Sequence, residues 1–152
     1  MVTLFLVIAV LLTALNAGVY FAFSSAVMPG LRGIDDYSFV VTMRAINQAV
    51  FNPWFMTSFF GSKGITAIVA GMALLTAESG RWWILAALGF HLVSLLITVG
   101  ANIPHNNRLD AAGNSDAAMR KRFAQPWLRW NTARTAAASA ALVCLLVPLI
   151  QI

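Results

Sequence analysis

The sequence is short of charge, of acid and of cysteine, and each shortage excludes something. Only 10% of its 152 residues are charged and 60% are hydrophobic. Soluble domains carry about 25% charged residues, so the composition is that of an integral membrane protein. The lone cysteine, Cys144, excludes an intrachain disulfide and a cysteine metal cluster; it reads as a small buried apolar side chain. Every Asp and Glu falls in a stretch read as a loop. The acidic residue within a span that proton-coupled exporters usually rely on is therefore missing. No Cys-x-x-Cys-His motif attaches a haem, and no solenoid repeat or low-complexity tract occurs. The net charge of +5 does not imply nucleic acid, because basic loops beside membrane spans need only lipid headgroups.

What is present is apolar sequence in four long runs. Met1 to Leu31 carries no charge, and no Lys or Arg precedes it. No small-x-small cleavage site follows, so it reads as a retained span. About 20 residues cross the hydrocarbon. The pattern predicts an all-α, integral membrane four-helix bundle, one domain over 1–152, with spans at about 2–27, 53–77, 82–102 and 127–151. Met28-Pro29-Gly30 is expected to stop the first span. Asn52-Pro53 opens the second, with proline in the first turn. Glu78-Ser79-Gly80-Arg81 forms a tight turn, and Trp82-Trp83 mark an interface. Pro104 is expected to end the third span and Pro126 to set up the fourth.

The two longer connections each promise a short amphipathic helix. In the first, Asp35 or Asp36 can cap a helix with Phe39, Met43, Ile46 and Val50 on one line. Such a helix lies at the interface or folds over the bundle mouth. In the second, from His105 to Gln125, Asn114 or Ser115 can cap a helix. Of the ten Lys and Arg residues, Arg81 alone lies on the side of the short turn. The positive-inside rule then places the long connections in the cytoplasm and both termini outside. In a bacterium the membrane is the inner one.

Polar residues inside the spans form stripes. Thr13, Asn16, Tyr20 and Ser24 recur at helical spacing, and His91, Ser94, Thr98 and Asn102 repeat that spacing. Trp127, Trp130, Asn131 and Arg134 fall at i, i+3, i+4 and i+7, which predicts a shared face. Lys63 lies about 15 Å into the second span and His91 about 16 Å from the cytoplasmic end of the third. Asn, Ser and Thr in membranes often serve only as interhelical hydrogen bonds, and Lys63 can snorkel to the headgroups. Arg134, Asn131, Asn102, Lys63 and His91 converge at one end, however. Turned inward, they line a cytoplasm-facing pocket with His91 near its floor.

Three patterns together resemble the anthrone oxygenase-like family of small four-span membrane proteins. The first is Gly18-x-Tyr20-x-Ala22-Phe23-Ser24, then Met28-Pro29-Gly30-Leu31, Met43-x-x-Ile46-Asn47 and Asn52-Pro53. The second is Asn102-x-Pro104-x-Asn106, and the third is Trp127-x-x-Trp130-Asn131-x-x-Arg134. The resemblance implies an oxygenase that turns an anthrone, or a similar hydrophobic aromatic or quinol-like molecule, into a quinone with O2. That chemistry can run with no cofactor and no metal. Arg134 with Asn131 or Asn102 then stabilises the enolate oxygen. His91 or Lys63 takes the proton. Tyr20, Phe23, Trp127 and Trp130 stack on the rings, and Asn47 and Asn106 complete the substrate contacts. His91 and Lys63 match no family motif and rest on depth alone.

Two other readings stand beside this one. His91 could be an axial ligand in a haem- or quinone-binding protein, a reading that the absence of a Soret band would end. A transporter or an accessory subunit without chemistry is the other. Beyond the lipid bilayer no partner is specified, though small-residue faces permit a homo-oligomer.

Overall fold

The computed structural model describes residues 2–112 and 117–151. Among these the chain is helical, with no strand. The helices are α1 (Val2–Ala22), α2 (Met28–Gly30), α3 (Asp36–Ala49), α4 (Pro53–Leu75), α5 (Arg81–Ile97), α6 (Ile103–Ala111) and α7 (Ala117–Ile150). Four stretches are long and apolar enough to cross a membrane: Val2–Gly33, Pro53–Leu75, Arg81–Ala111 and Ala118–Ile150. They form an up-down ring in which α1 and α5 each pack on both α4 and α7. α1 and α5 therefore run parallel across a shared axis.

Three of these stretches are longer than the sequence suggests. Val2–Gly33, with 32 residues, measures about 48 Å at 1.5 Å per residue, well beyond a hydrocarbon core of about 30 Å. Pro29 does not stop the first helical rod and Pro104 does not end the third. A π-helical turn precedes each proline, Phe23–Val27 before Pro29 and Thr98–Asn102 before Pro104. In those turns Met28 N–H bonds to Phe23 O, and Ile103 N–H bonds to Thr98 O. The wider turn absorbs the missing donor and the ring that would otherwise strike the preceding carbonyl. Pro126 likewise sits inside α7, which starts well before it. In the second connection no separate amphipathic helix forms among the described residues; the ends of α6 and α7 occupy it. The cap expected at Asn114 or Ser115 lies outside the described residues.

The overhanging ends build a second core. Met28, Phe39, Val40, Met43, Leu109, Phe123 and Trp127 pack together, so α3 folds over the bundle mouth against α6 and α7. Asp35 caps α3 by accepting from Ser38 N–H at 2.9 Å. Asn52 caps α4 by accepting from Phe55 N–H at 3.0 Å. Arg120 clamps the end of the first rod. Its guanidinium donates to the carbonyls of Leu31, Arg32 and Ile34 and pairs with Asp36 at 3.0 Å. Helix ends leave such carbonyls without internal partners, and a cation there also meets the negative end of the dipole.

The half nearer the termini is different. Leu6, Ala9, Val69, Ala70, Ala73, Ile84, Ala87, Ala141 and Leu145 form an apolar core. The α4–α5 turn closes it. Ala77 takes a positive φ of 53° and Glu78 N–H reaches back to Ala73 O at 3.1 Å, a Schellman ending. Gly80 is required there, because a Cβ would stand 2.5 Å from Pro148 Cβ.

Candidate active site

The overhang and the ring meet around a cavity of about 260 Å³ at the junction of α3 and α4. Its walls are rich in aromatic side chains. Tyr20 and Phe23 come from the first rod, Phe51, Phe55, Phe59 and Phe60 from the start of α4 and the turn before it, and Trp127 from α7. Exposed lining residues Phe51, Phe60, Ile103, Asn107 and Asp110 mark the mouth, between the start of α4 and α6. The polar lining groups are Asn47, Gln48, Thr98, Asn102, Asn106 and Arg134, with Asn107 and Asp110 at the mouth.

Arg134 is the centre of this arrangement. Its side chain is buried, only 8% exposed. Nε donates to Asn131 Oδ1 at 2.9 Å and Nη1 to Thr98 Oγ1 at 3.4 Å. The guanidinium lies over the Tyr20 ring, and more distantly over the Trp127 ring. No carboxylate pairs with it: among the described residues the one ion pair is Arg120–Asp36. Burying a charge without a counter-ion is costly. A buried cation at the inner end of the cavity can therefore take a negative ligand atom.

Asn131 does not line the cavity; it sets Arg134. Its Nδ2 donates to Tyr20 O at 2.8 Å and to Ser24 Oγ at 2.7 Å, while its Oδ1 holds Arg134. One amide thus ties α7 to the start of the π turn in the first rod. Asn102 and Asn106 form a parallel system on the other wall. Trp127 Nε1 donates to Asn106 Oδ1 at 2.8 Å, and Asn102 Nδ2 donates to Trp127 O at 3.4 Å. Phe23 and Phe123 flank the Trp127 ring. Asn102 Oδ1 and Asn47 Nδ2 are buried and have no protein partner. Both belong to lining residues, so a ligand or water can satisfy them.

Of the residues expected at the site, Tyr20, Phe23, Asn47, Asn102, Asn106, Trp127 and Arg134 share the cavity. Trp130 does not. It is 46% exposed on the outside of the bundle, while Trp127, Asn131 and Arg134 are buried. At about 100° per residue, which is 3.6 per turn, the last three lie within a narrow arc, and Trp130 falls about 60° to one side. Lys63 is also off the cavity wall. Its Nζ folds back to Phe59 O at 2.8 Å and over the Phe59 ring, along its own helix toward the connection end. His91 lies beyond the cavity rather than on its floor, which Tyr20, Thr98 and Arg134 form. It is buried on the bundle axis, with Nε2 3.2 Å from Thr13 Oγ1. Phe55, Phe59, Thr98 and Asp110 line the cavity and were not assigned to it from sequence. Asp110 is not in a loop: it ends the long third rod, on α6.

A family model described as anthrone oxygenase matches residues 54–144. No curated protein and no solved structure matches the chain. The matched region holds Asn102, Asn106, Trp127, Asn131 and Arg134; Tyr20, Phe23 and Asn47 lie before it.

Proposed function

The chain belongs to the anthrone oxygenase family, and from that premise we propose that the cavity binds a flat, hydroxylated aromatic ketone and oxidises it with O2. The observation that carries this reading is Arg134, a buried guanidinium without a carboxylate partner among the described residues, at the inner end of an aromatic slot. The volume sits just under the roughly 300 Å³ at which ligand pockets begin, which favours a compact fused-ring ligand.

In the proposed reaction the ring methylene C–H breaks heterolytically. Its electron pair delocalises onto the carbonyl oxygen, which becomes an oxyanion beside Arg134. Donors fixed before the charge develops stabilise it without reorganising. The resulting carbanion gives its electrons to O2 and forms a C–O bond, and the peroxide anion takes back the proton to become a hydroperoxide. Loss of water leaves the second ketone. One atom of O2 stays in the quinone and the other departs as water, so no reductant is needed. Asn131 positions Arg134. Asn102, Asn106 and Asn47 supply contacts for peripheral hydroxyls, and Phe23 and Trp127 stack on the rings. The cavity faces the cytoplasm on this reading, with its mouth near the headgroups, where an apolar substrate accumulates.

The experiment is oxidation of 1,8-dihydroxyanthrone by the purified protein in nanodiscs. The expected result is one O2 consumed per anthraquinone formed, one labelled oxygen from ¹⁸O2 in the product, and loss of turnover in Arg134→Gln. An absorbance scan of the same sample reads any haem or flavin that the cofactor-free mechanism does not require. A rate no faster than that of empty nanodiscs overturns the reading.

A further inference from the structure

The proposed reaction needs a proton acceptor, and the cavity wall does not provide an obvious one. Its titratable lining residues are Tyr20, Arg134 and Asp110, and Asp110 stands exposed at the mouth, away from Arg134. The bundle axis beyond the cavity floor is where unexplained polar groups collect. Thr13 Oγ1 meets His91 Nε2 across a separation of 78 residues. The same separation relates Asn16 to Ser94 and Tyr20 to Thr98. The polar stripes of the parallel helices α1 and α5 are therefore in register, and they face each other level by level.

Between the outermost and innermost of these levels the hydrogen bonding is incomplete. Tyr20 Oη, Asn16 Nδ2 and Ser94 Oγ, on these facing stripes, are all buried without a hydrogen-bond partner. Three orphans in one place are rare in a folded protein and are normally satisfied by internal water. On the cavity side the group adjoins Arg134, whose Nη1 donates to Thr98 Oγ1. On the other side it ends at His91. One turn further on, Ala9 and Ala87 begin the apolar core of the terminal half, and the buried Thr66 hydroxyl beside it is turned back onto Ser62 O of its own helix.

We propose that the axis between Arg134 and His91 is a hydrated, one-ended proton path, in which Tyr20, Asn16 and Ser94 hold the water that links the cavity to the His91 imidazole. The proposal rests on the reaction above for its purpose, but its geometry is independent of it. The proton leaving the substrate carbon passes through the Tyr20 hydroxyl and water to a neutral His91 ring, and the electron pair stays on the substrate. The same proton returns to the peroxide anion and makes the hydroperoxide, which then loses water using its own ring hydrogen, so His91 ends the cycle unchanged. The apolar core keeps the proton from crossing to the other side. Lys63, the cation on this stretch of α4, is held on Phe59 O.

The test is deuterium exchange at the C2 hydrogen of histidine, read by mass spectrometry on the full-length protein in nanodiscs in D2O. His105, whose Nδ1 meets Ala101 O near the surface, is the internal reference. His91 is expected to exchange, although it is only 2% exposed. Ser94→Leu and Asn16→Leu, two independent ways of filling the path, are each expected to remove exchange at His91 and leave His105 unchanged. Saturation of the cavity with 1,8-dihydroxyanthraquinone is expected to protect His91 in the same way. A silent His91 in the unaltered protein, or equal exchange in the filled variants, overturns the path. Where 1,8-dihydroxyanthrone is turned over, His91→Gln is expected to lower the rate by about 10²–10⁴-fold, the usual range for a positioned proton acceptor. The isotope effect from deuterium on the substrate methylene should rise, and anthraquinone binding should be unaltered. Unchanged turnover in that variant overturns the acceptor role. If no anthrone is oxidised at all, the proposed function falls and the exchange experiment still decides the path.

Discussion

The guanidinium of Arg134 lies 4.1 Å from the centroid of the Tyr20 ring. A cation over an aromatic face is stabilised by the ring quadrupole, by more where water is excluded. Asn131 and Thr98 add two hydrogen bonds. None of these partners carries a negative charge, so the ring and the amide hold the guanidinium in place without neutralising it. The same side chain is well fixed and electrostatically incomplete, which suits binding of an anion that exists only during a reaction.

Arg134→Gln is accordingly expected to separate stability from function. Removing a buried charge does little harm to the fold and can stabilise it, so the melting temperature should hold or rise. Turnover of 1,8-dihydroxyanthrone should fall by about 10²–10³-fold, as when an oxyanion donor is lost. Arg134→Lys keeps the charge but not the planar fork, and should recover only part of the rate. Steady-state rates and thermal melts in nanodiscs check both; an active Gln variant ends the oxyanion role.

Asn131→Leu should behave in the opposite way. It strips partners from Tyr20 O and Arg134 Nε inside the bundle, and buried groups left unsatisfied cost about 1–3 kcal/mol each. The variant is expected to melt earlier than the parent protein. It should also lose activity, because Arg134 is no longer aimed. Melting temperature and anthrone turnover should therefore fall together, whereas in Arg134→Gln only the second falls.

The sequence made the spans, the caps at Asp35 and Asn52 and the polar stripes legible, because each depends on local spacing or local chemistry. The prolines misled for a physical reason. Pro29 and Pro104 look like stops when the alternative is a regular α-helix, and a preceding π turn removes that conflict. Nothing in residue spacing announces such a turn. Trp130 misled because a face drawn from four residues spans a wide arc, and packing admits only part of it. Lys63 and His91 were placed by depth, which says how far along a helix a group lies but not which side of the axis it reaches. The cavity wall of Phe51, Phe55 and Phe59 does have a visible signal, aromatics at every fourth position across the Asn52-Pro53 break. Asp110 had none, since its site exists only because the third rod continues past Pro104.

Trp127 and Trp130 offer a direct comparison. Trp127 is 2% exposed, bonded to Asn106 and wedged between Phe23 and Phe123. Trp127→Phe keeps most of the ring packing but leaves Asn106 Oδ1 without its donor, at a cost of about 1–3 kcal/mol. It is expected to lower both the melting temperature and the affinity for 1,8-dihydroxyanthraquinone. Trp130→Phe, on the outer surface, should change stability by no more than about 0.5 kcal/mol and binding not at all. Fluorescence titration of the two variants decides it; a binding defect in Trp130→Phe would return that residue to the site.

The helix that roofs the cavity should respond to acid through Asp35. Its carboxyl is held below the ordinary value of 3.8, chiefly by the Ser38 hydroxyl and then by the Ser38 amide. A carboxylate whose pKa is lowered on folding adds stability that is fully present above the unfolded value. That contribution is lost as the pH falls through the folded value. The cap on α3 should therefore be intact at neutral pH and weaken as the pH drops below about 3.8. Asn47 and Gln48 lie on the same helix and line the cavity, so the roof loosens with the cap. Asp35→Asn retains an acceptor that does not titrate in this range. The acid-dependent part of amide exchange in α3 should vanish in that variant and persist in the parent protein. Asp35→Ala should show fast exchange at every pH. Identical acid profiles for the parent and Asp35→Asn would remove Asp35 as the cause.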